Sequence, residues 1–286
     1  IAKCSGKNLM SYNFDLCILI PSFDNFNGVK RIVDIFDSCP NVSIIVSDDS
    51  SKSEVAQTIS DFISSKNTAR IKYIKRVGLP GAVHNWNYLL TLVNAKFYTL
   101  VHHDEYHSDT FFVDDIQRYF YQDKACIILP FKVVNKNGVG RRVSSNLQRR
   151  ANRFLRFFLP VYNIIGPTSS LVISQDIRPE FDTKLTWLVD TEWYSRVLRL
   201  SESTNFLRMS SSITSVFYEN SITWSSNGAV KRLMGKELSY LQDQYVRQVT
   251  AWRFYGFIYC RIVIRLLGFS DYISFYLRRL VSNFQR

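Results

Sequence analysis

Residues Thr99 to His107 read Thr-Leu-Val-His-His-Asp-Glu-Tyr-His, so two imidazoles and two adjacent carboxylates follow directly on the apolar run Phe97 to Val101. Such a run reads as a short buried strand. In an open α/β sheet the ligand crevice lies beyond the carboxyl ends of the strands, where carboxylate oxygens can hold a divalent cation over a diphosphate. Asp104 is the first candidate ligand; the same pattern would also serve as a solvated loop capping the next helix through Ser108 or Asp109. Two other apolar runs end in Pro21-Ser22-Phe23-Asp24 and in Ser47-Asp48-Asp49-Ser50-Ser51. An aromatic ring can stack on a nucleobase while a carboxylate accepts an imino or ribose hydrogen bond. Asp48 and Asp49 would equally cap a helix starting near Ser53, and Phe23 would equally fill a core. Further along, Asp190 opens an amphipathic pattern that places Trp193 and Val197 on one face, and a carboxylate there can be a helix cap, a general base or both.

These groups need strands that all end on one side. The first half supplies them by alternation: Asp15 to Ile20 as a strand, Gly28 to Ser38 as a helix, Val42 to Ser47 as a strand, Ser53 to Ser65 as a helix. Ile71 to Lys75 follows as a strand, Gly81 to Ala95 as a helix and Phe97 to Val101 as a strand. Short connections between such segments imply βαβ units and a mainly parallel sheet flanked by helices. Ala125 to Val134 and Val139 to Ser144 flank Asn135-Lys136-Asn137-Gly138, a hairpin signal expected to extend the sheet with an antiparallel element. The fold class is therefore α/β, Rossmann-like and mixed, with no repeat of fixed period.

The chain has 286 residues, enough for one large domain, read as residues 1–220, and a helical, basic-aromatic C-terminal appendage, 221–286. Its net charge of +12 suits an anionic partner: nucleic acid, a phosphorylated substrate or an acidic membrane surface. Cys4, Cys17, Cys39, Cys126 and Cys260 are far apart with no CxxC, as expected of reduced thiols in a cytoplasmic protein. No signal peptide and no apolar run of bilayer-spanning length is visible. No GxGxxG follows the first strand and no GxxxxGK[ST] occurs, which argues against a Rossmann dinucleotide site and a P-loop. A nucleotidyltransferase on a similar sheet would need a glycine-rich phosphate loop where Pro21 to Gly28 stands. A nucleic-acid-binding role has the charge but no recognisable module.

Four blocks in order resemble family-2-type glycosyltransferases of the GT-A fold. Leu19 to Asp24 is similar to the family's opening I-P-[TS]-[YF]-N, and Ile45 to Ser51 to its V-V-D-D-G-S. Gly78 to Asn87, with Asn85-Trp86-Asn87, resembles a G-x-x-x-N-W-N helix, and Val101 to Glu105 an L-H-x-D-D form of the DxD motif. The resemblance implies that Pro21, Ser22, Phe23 and one of Asp48 or Asp49 line the nucleotide, with Asn85, His102 and His103 also on the donor side. Asp104, with Glu105, would hold a divalent cation bridging the donor diphosphate. His102 replaces the first Asp of DxD, and because imidazole prefers softer cations, Mn²⁺ ranks ahead of Mg²⁺. Leu185 to Arg199 resembles E-D-x-x-[LW]-x-x-R with Val189 in place of Glu, so Asp190 would be the catalytic base and Glu192 the reserve. Asn163 to Ser170 resembles the small-residue loop that approaches the donor sugar.

By the same resemblance the enzyme is an inverting transferase. It would take a sugar from a nucleotide-sugar donor, a UDP-sugar first, to a glycan or lipid-linked hydroxyl in polysaccharide synthesis of the O-antigen, lipopolysaccharide or capsule type. Arg141, Arg142, Arg149, Arg150, Arg153 and Arg156 form one basic segment, and Arg247 to Arg286 carries seven arginines against Asp271 among many aromatics. Arginine with aromatics on a helix suits an interfacial anchor on an anionic membrane surface, here the inner face of the cytoplasmic membrane. A helical subdomain packed on the core with solvated arginines would show the same pattern.

Overall fold

The computed structural model describes residues 13–134, 140–143, 156–207, 213–216 and 227–256, with positions 149, 262 and 266. The expected alternation is present as β1 (Leu16–Ser22), α1 (Phe26–Phe36), β2 (Val42–Asp48), α2 (Ser53–Ser65), β3 (Ile71–Lys75), α3 (Ala82–Thr91) and β4 (Phe97–Leu100). There follow β5 (Glu105–His107), α4 (Phe111–Ile116), β6 (Ala125–Ile128), β7 (Phe131–Val134), β8 (Gly140–Val143) and β9 (Leu171–Ser174). The chain continues through α5 (Val189–Leu200), β10 (Ser203–Phe206), β11 (Ile213–Val216), α6 (Asn227–Leu241) and α7 (Val246–Ala251).

Among the described residues, seven strands form one sheet in the order β10-β6-β9-β4-β1-β2-β3. β1 sits between β2 and β4 and runs parallel to both, while β9 is antiparallel to β4 and β6. All seven residues of β1 are buried, and successive side chains enter opposite layers: Leu16, Ile18 and Ile20 pack with α1 and α2 residues, Cys17 and Leu19 with α3 and α5 residues. That is the period-two consequence of a sheet covered on both faces. It also brings the carboxyl ends of β1, β2 and β4 to one edge.

Two expectations change. Ala125 to Val134 is not one strand, and its hairpin partner does not extend the main sheet. Pro130 has no N–H to give to a ladder, the chain breaks there, and β7 and β8 pair in a second sheet of order β5-β11-β7-β8. The Asn135 to Gly138 turn itself lies outside the described residues. Likewise Glu105 to His107 is not a solvated loop but β5, antiparallel to β11. Asp109, offered by the sequence as a cap, stands one residue before the N-cap, Thr110, and accepts from Phe111 N at 3.1 Å.

The expected division at 220/221 falls outside the described residues, as do Cys4, Cys260, Arg150, Arg153 and the tail arginines Arg261, Arg265, Arg278, Arg279 and Arg286. On the described side of it, Leu238, Leu241, Tyr245, Val249 and Trp252 belong to the same buried cluster as Tyr98, Trp193 and Tyr194. Cys17 and Cys126 are free and buried, and Cys39 is free and half-buried. Among the described residues, no helix is long and apolar enough to cross a membrane.

Candidate active site

The β1 and β2 ends make one ledge because their loops are tied together. Asp24, left-handed at φ 49°, donates its N–H to Ser50 Oγ at 2.8 Å and accepts from Ser51 Oγ at 2.6 Å and Lys52 N at 3.0 Å. Phe23 stands beside it with 54% of its surface exposed, so it is a free ring on the crevice edge rather than core. Asp48 is fully buried and accepts from Ser50 N, Ser50 Oγ, Tyr73 OH and Lys75 Nζ. Burial first, and then the bond to Asp48, raise the pKa of the Tyr73 phenol. Asp49 is half-buried and accepts from Arg76 and, at 2.9 Å, from Gly81 N, which folds the 76–81 loop against the ledge. Asp48 is thus the internal brace, and Asp49 is the carboxylate nearer the edge. Ser22 and Ser47 each keep a buried hydroxyl without a protein partner.

The helix α3 fixes the next layer through its Asn-Trp-Asn run. Asn85 Nδ2 donates to Ser47 O at 3.0 Å, leaving Asn85 Oδ1 buried and unpartnered. Asn87 makes a two-way bond with the Phe181 backbone at 2.7 and 2.9 Å. Trp86, between them, stacks on His102 with ring centroids 4.7 Å apart and an interplanar angle of 22°. His103 faces the other way: its Nδ1 donates to Pro21 O at 3.3 Å, and its carbonyl accepts from Asn25 Nδ2 at 3.4 Å. The α1 backbone lies against that carbonyl so closely that a Cβ on Gly28 would come within 1.9 Å of it. Only glycine allows the approach.

His102, Asp104 and Glu105 present ligand atoms that all lie within 4.8 Å of one another. Burial holds the His102 pKa down at about 4 against the opposing pull of Asp104, so the ring is neutral near pH 7. Its 3.9 Å approach to Glu105 is therefore not an ion pair. Burial pushes the Glu105 pKa well up, and the charges of Asp104 and Asp190 add to the effect. A 3₁₀ turn, Thr168–Ser170, closes the cluster from the far side. Thr168 Oγ1 lies 3.4 Å from His102 Nε2, and Ser169 N donates to Glu105 at 3.4 Å. Asn163 shapes that loop by accepting from Ile165 N and Gly166 N.

Asp190 lies in the first turn of α5, not at its N-cap, which is Leu188. Its Oδ1 is buried with no hydrogen-bond partner among the described residues, and burial first, then Asp104, raises its pKa to about 7. Tyr194, one turn on and on the same face, feels the charges of Asp190 and Glu105 and donates to Gly166 O at 3.0 Å. Glu192 points elsewhere: Arg196 holds it with two bonds of 2.6 Å, and Tyr245 OH donates to it at 3.0 Å. Buried and fully paired, it is a structural anchor of α5.

The fold thus gathers His102, Asp104 and Glu105, places Asp190 within range of the Asp104 charge, and sets Glu192 apart. The imidazole of His102 and the carboxylates of Asp104 and Glu105, with the Asp104 charge raising the pKa of Glu105 beyond what burial does, form a donor set that suits a divalent cation. The sequence placed Thr168 and Ser169 in a loop expected near the donor sugar and Trp86 in a motif helix, without their contacts to His102 and Glu105, and gave Tyr194 no part. Tyr194 was reachable from its spacing to Asp190; the Trp86 stack depends on how α3 packs.

A family model described as "Glycosyl transferase family 2" matches residues 17–176. No curated protein matches the chain significantly. Among solved structures, S. aureus TarS 1–349 in complex with UDP-GlcNAc superposes with a TM-score of 0.57 at 15% identity, covering 84% of this chain and 73% of that one. The same protein in complex with UDP gives 0.55 at 14% identity, covering 85% and 73%. A further S. aureus TarS structure gives 0.53 at 15% identity, covering 84% of this chain and 44% of that one. At such identities the likeness is one of fold.

Proposed function

This chain belongs to glycosyl transferase family 2 and is a glycosyltransferase on a GT-A fold; from that premise we propose an inverting, metal-dependent transfer from a nucleotide-sugar donor, with Asp190 as the base. The observation that carries the reading is the cluster of His102, Asp104 and Glu105 just beyond β4, with the buried Asp190 close enough for its charge to act on Glu105 and for that of Asp104 to act on it. The crevice edge suits a nucleotide: Phe23 offers a ring face, Asp49 a carboxylate nearer the edge, and Lys75, half-exposed, a cationic flank, while Asp48 braces them from within. TarS, the fold neighbour, has been crystallised with UDP-GlcNAc and with UDP, which favours a UDP-sugar as the first donor to try.

Asp104, with Glu105 and His102, would hold the cation, and nitrogen beside carboxylate oxygen favours Mn²⁺ over Mg²⁺. A cation bound there neutralises charge growing on the departing nucleoside diphosphate. Asp190 takes the proton of the acceptor hydroxyl as that oxygen bonds to the anomeric carbon, while the bond from that carbon to the diphosphate oxygen breaks. Attack opposite the leaving group inverts the centre. An Asp190 pKa near 7 leaves a base basic enough to accept the proton and half ionised at working pH. Purified protein screened by thermal shift against nucleotide sugars should be stabilised by one UDP-sugar in the presence of Mn²⁺ and less without it. Equal response to all nucleotides, or to none, would count against the donor assignment.

The acceptor is a glycan or lipid-linked hydroxyl in surface-polysaccharide synthesis. Residues 1–220 carry the donor, metal and base residues, α6 and α7 pack into the same core, and the exposed basic-aromatic face of 221–286 docks the enzyme on an anionic membrane surface. Phe254 and Tyr255, each 74% exposed, with Ile262 and Leu266 also exposed, support the docking role beside Arg247 and Arg253. Sedimentation with vesicles should show binding that needs anionic lipid and weakens with salt. Equal binding to neutral vesicles would reject that part.

A further inference from the structure

We propose that Glu237, on α6, is the positioning residue for Asp190, acting through the turn that leads into α5. This rests on the reading of Asp190 as the base. Glu237 is 4% exposed, yet its carboxylate pairs with no cationic side chain among the described residues. It accepts instead from three successive backbone N–H groups: Thr186 at 2.8 Å, Trp187 at 3.0 and 3.1 Å, and Leu188 at 2.7 Å. A carboxylate seated on consecutive N–H groups makes charge-assisted bonds, stronger than neutral ones, and fixes the direction of the peptide planes that donate them. Those planes set the entry angle of α5, whose N-cap, Leu188, has no side chain able to cap. Asp190 lies two residues beyond, with a buried Oδ1 that has no hydrogen-bond partner among the described residues.

The same part of the chain grips α5 on the other side of Asp190. Tyr245, just before α7, donates to Glu192 and accepts from Arg199 at 2.7 Å, while Tyr240 donates to Asp182 at 2.8 Å in the segment that precedes the turn. Contacts from this downstream helix pair therefore flank the base on both sides, at the turn before α5 and at Glu192 and Arg199 within it. A shift of this pair moves Asp190 relative to Asp104, so whatever α6 and α7 dock against can bear on turnover.

A double-mutant cycle tests this in the full chain. Glu237→Gln keeps size and one acceptor oxygen but turns an NH₂ toward backbone donors, so kcat should fall by about 10-fold to 10²-fold with donor Kd unchanged. Combined with Asp190→Asn, the same change should cost nothing further, because the group it positions is gone. Glu237→Asp, which keeps both acceptor oxygens, should recover part of the loss. A Glu237→Gln enzyme with wild-type kcat, or one that loses the same factor in both backgrounds, would overturn the proposal and leave Glu237 a fold-stabilising group. If Glu237→Gln does not fold, Glu237→Asp is taken through the same cycle with the same two criteria. Full turnover by Asp190→Asn alone is a different outcome, since it rejects the base and not the brace.

Discussion

Asp104→Ala is expected to abolish transfer, a fall of more than about 10²-fold that corresponds to the several kcal/mol a cation contributes to a charged transition state. Asp104 is the acid whose charge raises both Glu105 and Asp190, so it sits at the electrostatic centre of the cluster. Removing it deletes a donor atom from a set spanning 4.8 Å and lowers the mutual repulsion of the remaining acids. The variant should therefore be at least as stable as the wild type while losing metal-dependent nucleotide binding. Titration of Mn²⁺ followed by its paramagnetic resonance signal, with and without UDP, reads ion affinity apart from activity. Unchanged ion affinity, or full turnover in excess chelator, would refute the metal assignment.

Asp190→Asn should lower kcat by about 10²-fold or more with donor affinity nearly unchanged, since the amide keeps the shape and cannot accept the acceptor's proton. The wild-type rate should rise with pH and level off above a midpoint near 7, because only ionised Asp190 can act and burial with Asp104 has raised its pKa from 3.8 to about 7. The sign for stability is opposite. A carboxyl with a folded pKa above its unfolded value favours the folded state below about 4, and that contribution is lost as pH rises toward 7. Asp190→Asn should thus raise the melting temperature at neutral pH while removing activity, a combination that a merely damaging change does not give. Glu192→Gln should do the reverse, loosening the Arg196 and Tyr245 pairing and costing stability first. If Glu192→Gln left a folded protein without turnover and Asp190→Asn remained active, the base would be Glu192.

Much of the frame could be read from local pattern. Strand runs such as Val42 to Ser47 and helix patterns such as Ser53 to Ser65 are set by periodicity over a few residues, and the structure places them within a residue or two of where the pattern does. The acids at strand ends were also visible, because parallel strands with short crossovers must end on one side of the sheet. β5 and the break at Pro130 were not, since a three-residue strand exists only through its partner β11, 106 residues downstream at the His107 to Ile213 pairing.

The sequence by itself therefore determined which residue types stand at the crevice: Phe23, Asp48, Asp49, His102, Asp104, Glu105 and Asp190. It could not say which carboxylates are free. Asp48 and Glu192 read like Asp49 and Asp190 along the chain, yet Tyr73 and Lys75 bind the one and Arg196 and Tyr245 the other, whereas Asp190 keeps an unpartnered oxygen. The Trp86 stack on His102 and the Glu237 seat beneath α5 were likewise decided only by tertiary packing. Local pattern is written in neighbours three or four residues apart; the pKa and reach of a carboxylate depend on burial and on charges brought close from distant positions, and these exist only once the chain has folded.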